Sequence, residues 1–269
     1  PTALLGSFDK EFLRVPPEVI ITSMKENQRY FPVFAGGKLS NAFIVVSNAF
    51  IEDFSKVIAG NERVLKARLS DALFFYENDL KKGLSPDGLA NIVFVEGLGS
   101  LLNKTERETK IVEYLSDTLA LSSDDKQKAL EAAKIAKADL LTEVVYEFPE
   151  LQGVMGRYYA LAEHKDTMVA EAIKEQYLPK GEDGELPKTV IGAVLATAVR
   201  LDSLMGLFGL GMIPSGSKDP YALRRAAIGV IKNLIHFSLK IDLSKALSVI
   251  SPMYKDFDRK KLEDFIFDR

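Results

Sequence analysis

The chain has 269 residues with 35 Lys+Arg against 38 Asp+Glu, a formal net charge of −3, and 47% hydrophobic and 27% charged residues, the mixture of an ordinary globular protein with a core of one or two domains. It has no cysteine, which excludes a disulfide framework, a thiolate nucleophile, a Cys-ligated zinc and an iron–sulfur cluster, and its two histidines, His164 and His236, leave little for a His-rich metal site or a His-based triad. A pI near 5.6 excludes nucleic-acid attraction by bulk charge, so any such binding must come from a local basic patch.

In chain order, Pro16-Pro17-Glu18 followed by Val19, Ile20 and Met24 predicts a helix start, because Pro suits the first turn. Arg29-Tyr-Phe-Pro-Val-Phe34 and Phe43-Ile-Val-Val46 flank Ala35-Gly-Gly-Lys38 and predict a hairpin, with Pro32 placing its strand at an edge. From Gly60 the period changes. Leu65, Leu69, Ala72, Leu73, Tyr76 and Leu80 form a helical stripe with Asn61 as the expected cap. Further helices are predicted near 89–102, 104–121, 125–146, 166–177, 188–208 and 220–239, with surface loops at Gly181–Glu185 and Gly206–Gly216. Strand signals are scarce after residue 60. The expected class is α+β: a small mixed α/β portion over 1–60, a mainly α-helical domain over 61–250, and the start of a following region at 251–269.

No stretch approaches the roughly 18 uninterrupted apolar residues of a membrane span, and no basic-then-apolar signal opens the chain. The start at Pro1 and the stop inside a charged, helix-like run predict an excised piece of something longer, and a cytoplasmic origin is expected.

Among possible reaction groups, Asp139 shares a helical stripe with Ala132, Ile135 and Ala136, and Asp202 shares one with Ile191, Val194, Leu195, Ala198 and Met205. A core-facing carboxylate needs a partner, so each either caps a neighbouring helix or pairs with an arginine, or else belongs to a metal or acid–base site. Gly211-Met-Ile-Pro-Ser-Gly216-Ser-Lys218 misses a phosphate-binding loop, since Ser217 precedes Lys218 and a helix precedes the glycines. A local account has Asp219 capping a helix that opens at Pro220, whose free N–H groups with Lys218, Arg224 and Arg225 form a candidate phosphate contact.

Two further basic groups, Arg63, Lys66 and Arg68, then Lys104 and Arg107, are either solvated faces paired with Glu62, Asp71 and Glu108 or RNA contacts. His164 is expected to be exposed and His236 packed. Gln152-Gly-Val-Met-Gly-Arg-Tyr-Tyr159 carries two glycines in a helical, aromatic run; this fits close helix packing, with base stacking by Arg157 and the tyrosines as the alternative.

Met24-Lys-Glu-Asn-Gln-Arg-Tyr-Phe-Pro-Val-Phe34, Gly60-Asn-Glu-Arg-Val-Leu-Lys-Ala-Arg-Leu-Ser-Asp-Ala72, Lys137-Ala-Asp-Leu-Leu-Thr142, Glu147-Phe-Pro-Glu-Leu-Gln-Gly-Val-Met-Gly-Arg-Tyr-Tyr-Ala160 and Gly216-Ser-Lys-Asp-Pro-Tyr-Ala-Leu-Arg-Arg-Ala-Ala-Ile-Gly229 stand in one order along the chain. Together they resemble the β subunit of the bacterial α2β2 glycyl-tRNA synthetases, over about residues 15 to 250.

The resemblance implies that this chain is the middle of a longer subunit. It implies that the first portion is similar to a synthetase β-subunit domain, and that the helical portion is HD-like, the fold of metal-dependent phosphohydrolases. In that fold a His, a His-Asp pair and a distant Asp hold a metal. Here Asp139 and Asp202 match the two Asp positions, Ala138 takes the paired His position and Lys110 is expected at the first. Two missing imidazoles argue against tight metal binding, so no metal, cofactor or catalytic residue is expected in this chain. By the same resemblance, ATP, Mg and glycine activation belong to the α subunit. This chain is then expected to supply tRNA(Gly) binding and subunit assembly, with no membrane or DNA partner. The tRNA-binding candidates are Arg63, Lys66, Arg68, Lys104, Arg107, Arg157, Lys218, Arg224 and Arg225. The alternatives are a residual HD-type phosphohydrolase using Asp139 and Asp202, and a pure assembly scaffold.

Overall fold

The computed structural model describes residues 1–181 and 183–269; Glu182, in the loop expected at Gly181–Glu185, lies outside the described residues. The chain is α+β with a helical majority and divides into two compact units, 1–83 with 142–151, and 84–141 with 152–269.

The first unit holds β1 (Thr2–Ser7), α1 (Pro17–Thr22) running into a π-helical turn (Ser23–Gln28), β2 (Phe31–Ala35), β3 (Lys38–Ser47) and α2 (Ser55–Lys82). The hairpin forms where the aromatic and β-branched runs predict it. Gly36 and Gly37 close it with φ of +57° and +77°, the left-handed pair that a two-residue turn between twisted strands requires. The strand order β1-β3-β2 leaves β2, with Pro32, at an edge. β1 has no counterpart in the sequence reading. Tyr30 stacks on Phe43 (4.8 Å between centroids) and donates its hydroxyl to Asn61.

Asn61 therefore does not cap a helix. α2 begins at Ser55, and the Asn61 amide donates to the Val57 carbonyl inside it. Leu65, Leu69 and Ala72 are buried as the stripe predicts, whereas Leu80 is exposed and Asp79 takes the buried position next to it. The compact unit thus extends past residue 60 to the end of α2, and the packing of α2 on β1 and on the first turns accounts for the difference.

The second unit holds β4 (Val93–Val95), β5 (Gly99–Ser100), α3 (Leu101–Thr118), α4 (Ser123–Ile135), α6 (Val154–Ala162), α7 (Thr167–Glu175), α8 (Val190–Gly209), α9 (Leu223–His236), α10 (Leu243–Ile250) and α11 (Arg259–Phe267). Between α4 and α6 the chain visits the first unit as α5 (Glu143–Glu147). Two expected helices are corrected. The stretch near 89–102 is a 3₁₀ turn followed by a small ribbon, because Val93-Phe-Val95 favours strand and Gly97 and Gly99 sit at φ +89° and +80°. The helix expected over 125–146 breaks after Ile135. Residues 138–141 form a 3₁₀ turn and Thr142 caps α5, its hydroxyl accepting from the Val145 N–H.

α8 is the core of this unit and packs on α3, α4, α7 and α9, with Ile191, Val194, Leu195, Ala198, Leu201 and Met205 buried. By length and composition it could cross a membrane, but 83% of that stretch is buried inside the protein, as a core helix requires. Ser122, Asp166, Thr189, Asp242 and Asp258 each accept an N–H at the start of the helix that follows.

Candidate functional site

Asp202, on α8, is fully buried and meets three donors. Lys104 Nζ lies 2.6 Å from Oδ2, Arg107 Nε lies 2.7 Å from Oδ1, and the Tyr254 hydroxyl donates to Oδ1 at 2.8 Å. Lys104 also pairs with Glu108 (3.1 Å), and Glu108 with Lys137 (3.4 Å). The Lys137 ammonium donates to Gln176, whose amide donates to the Ala136 and Ile173 carbonyls. The Lys104 ammonium sits over the Phe94 ring at 4.3 Å.

Burial alone would neutralise such groups. It would lower Lys104, yet Asp202 and Glu108 more than reverse the effect and hold its pKa above the usual lysine value. Burial would raise Asp202, yet Lys104 and Arg107 hold it below the usual aspartate value. For Lys137 burial wins over Glu108, and the pKa falls. Burial, reinforced by Asp202, raises the Tyr254 phenol and keeps it a donor. The result is an ion network closed on itself.

Asp139 is served by backbone. Its Oδ2 accepts the N–H of Gly153 and, at 3.1 Å, that of Gly156, at the start of α6. This explains the two glycines of the Gln152–Tyr159 segment. Gly153 has φ +80°, and a Cβ on Gly156 would stand 2.7 Å from Ile173 Cγ2 and 3.1 Å from the Asp139 carboxylate. Burial, against those two N–H groups and Lys137, raises the Asp139 pKa to about 6. A carboxyl whose folded pKa exceeds its unfolded value of 3.8 is most favourable protonated. Its contribution is complete below pH 3.8 and is lost as pH rises through 6, a change of about 3 kcal/mol. In Asp139→Asn this loss is expected to vanish, so the stability difference between wild type and variant, from denaturant unfolding at pH 4.5 and 7, shifts against wild type at the higher pH.

Neither carboxylate fits a metal: the oxygens of Asp202 face two cations and a phenol, and the Asp139 Oδ2 faces amide hydrogens. Among the described residues no group of three or more His, Asp or Glu is placed to hold an ion. Lys110, expected at the first HD position, is exposed on α3; the α3 side chains that reach Asp202 are Lys104 and Arg107, while Ala138 is buried.

The basic candidates separate by accessibility. Lys104 (5% exposed) and Arg107 (14%) are corrected from surface contacts to members of the ion network, which spends their charge internally. Arg157 is tied to Glu171 and stacks over Tyr158. Lys66 pairs with Asp9 (2.9 Å) and Arg68 with Glu147 (3.6 Å), both at the surface, and Arg63 is exposed. Lys218 and Arg225 are exposed; Arg224 donates to the Gly216 carbonyl.

The helix after this loop begins at Leu223 rather than Pro220, and the Asp219 carboxylate accepts from the N–H groups of Leu223 (2.8 Å) and Arg224 (2.9 Å). Those donors are therefore filled by the chain's own anion and are not open to a phosphate. His164 is exposed as expected. His236 is exposed too, edge-on to Phe237, rather than packed. Sequence reasoning missed Lys137, Gln176 and Tyr254. The i,i+4 pair Lys104–Glu108 was visible but reads as a solvated face, because nothing local reveals that α3 buries that side.

The fold and its centre thus define an α+β chain with a helical majority, organised around buried ion pairs. A family model described as glycyl-tRNA synthetase beta subunit matches residues 1–269. The chain belongs to that family. It is similar to the glycine–tRNA ligase beta subunits of Helicobacter pylori strain Shi470 (54% identity over 282 residues), Pseudomonas fluorescens strain Pf0-1 (46% over 277) and Desulforamulus reducens (44% over 289). All of this chain is covered in each comparison, and the chain spans about 40% of the length of these curated relatives.

Proposed function

We infer that this chain is the part of a glycine–tRNA ligase β subunit that holds tRNA(Gly) and supports assembly with an α subunit, where glycine is activated with ATP and Mg in the cytoplasm. The observation that carries this reading is the family match over the whole chain, joined to an interior whose acids and bases are engaged with one another. The helical unit, which we read as HD-like, serves as scaffold: Asp139 and Asp202 stand at the metal-ligand positions of that fold and work here as a helix-start acceptor and an ion-pair anchor. Positioning the RNA contributes to rate by removing orientational freedom before the chemical step.

Of the candidate cations, Lys218 and Arg225 form one exposed group and Arg63, Lys66 and Arg68 another, in which Lys66 and Arg68 would exchange their surface ion pairs for phosphate. Reversing Lys218 and Arg225 to Glu in the full-length subunit, assembled with its partner, is expected to weaken tRNA binding by about 10-fold or more. The slope of log affinity against log salt should fall by about 2. Glycine-dependent pyrophosphate exchange should stay unchanged. Unaltered tRNA affinity in variants of both groups would overturn the RNA role and leave the scaffold reading.

A further inference from the structure

The three-stranded sheet of the first unit has one covered face and one bare face. Leu4 and Phe43 point inward and are buried, with α2 packed against β1. Directly paired residues share a face, so the register puts Ala3 beside Val46, and Leu5, Ile44 and Phe31 in one row across all three strands, on the opposite side. That side is apolar. Leu5 is 63% exposed, Phe31 56% and Val46 50%.

A sheet with one solvated face normally alternates apolar-in and polar-out. β1 and β3 break that rule with aliphatic residues at outward positions where water would favour Thr, Lys or Glu. Ala3, Leu5, Phe31, Ala42, Ile44 and Val46 carry no charge and a single aromatic ring, and on β1 the one polar residue of this face, Ser7, stands at the strand's end opposite Ala42. RNA wants cations and stacking platforms, so this face is built for another apolar layer.

We propose that the bare face of the β1-β3-β2 sheet docks an apolar strand or helix layer from the remaining polypeptide of the same β subunit. The curated relatives carry about 60% of their length outside the matched part, one and a half times as much chain as is matched. A segment on the same polypeptide also meets this face at high effective concentration, which lets a few aliphatic contacts suffice. The proposal concerns protein packing and does not rest on the RNA reading above.

The test uses the full-length β subunit assembled with its partner, with p-benzoylphenylalanine replacing Leu5 in one sample and Val46 in another. Irradiation is expected to give an intramolecular adduct to β-subunit residues outside these 269. An adduct to a second β copy, to the partner subunit or to tRNA overturns the proposal, and so does the absence of any adduct. A second readout covers a misfolded variant. Thiol modification at Val46→Cys, followed peptide by peptide, is expected to run roughly 100-fold slower than at Gly36→Cys in the exposed turn. Equal rates overturn it. Because neither readout involves RNA affinity, failure here and failure of the RNA role are distinguishable.

Discussion

Asp202→Ala is expected to cost about 3–5 kcal/mol, the largest loss from any single side chain of the network, because it strands two buried cations rather than removing one contact. Lys104 would keep Glu108 as its one carboxylate, beside the Ser203 hydroxyl at 3.0 Å, and Arg107 would keep the Leu98 carbonyl at 2.9 Å. Tyr254 would lose the acceptor that draws residues 251–257 onto α8. Asp202→Asn keeps an acceptor and should lose less. Replacing Lys104 by Met as well should recover part of the Asp202→Ala loss, because the charge left over is removed with its partner. Denaturant unfolding of the four proteins reads this directly. A loss below about 1 kcal/mol in Asp202→Ala would show that the network does not hold α3, α8 and the 251–257 segment together.

The second large effect is expected at Gly229. A Cβ there would lie 2.2 Å from Arg200 Nε and 2.8 Å from Cδ. Arg200 is nine-tenths buried with no carboxylate partner among the described residues. It donates instead to the carbonyls of Gln176 (3.2 Å), Tyr177 (3.1 Å) and Pro179 (3.0 Å), and within its own helix to Ala196 (2.8 Å). Burial lowers its pKa to about 10, so it remains cationic at neutral pH. Gly229→Ala must push this guanidinium off its acceptors, leaving buried carbonyls and a buried charge unserved, for about 2–4 kcal/mol. The loss should shrink sharply in an Arg200→Met background, where no guanidinium is left to displace. Additive losses in that cycle would exclude the clash as the cause.

Both residues show where sequence reading stops. The hairpin was legible because its information is local: β-branched and aromatic runs around Gly36-Gly37 admit few other conformations. α7, α8 and the Leu65–Ala72 stripe were legible by period, and Asp139 and Asp202 stood out as acids on apolar stripes. Their partners were not. Lys104 and Glu108 read the same whether α3 turns that face to water or to α8, and only tertiary packing decides. Tyr254 is 52 residues from Asp202, and nothing near it in the chain announces that pairing. Asn61 and Pro220 failed as helix starts for different reasons. Asn61 is a good local signal overruled by a longer-range one, Tyr30, whereas at Pro220 the expected Asp219 cap is kept but reaches the N–H groups of Leu223 and Arg224, so the helix starts later.

The short excursion through α5 bears on how this molecule can be divided. Asp79 accepts the amide hydrogens of Glu143 (2.9 Å) and Val144 (3.0 Å), while Asp139, just before the excursion, accepts those of Gly153 and Gly156, just after it. No single cut therefore yields two whole pieces. A fragment stopping at Gly83 loses its last helix and takes away both amide donors from Asp79, and one starting at Leu84 trails ten residues that belong elsewhere. Excising the detour offers a cleaner separation. Since the Asp139 clip already brings the two ends of the detour together, a short turn could join 141 to 152, and a peptide spanning 142–151 could be supplied in trans to the piece that misses it.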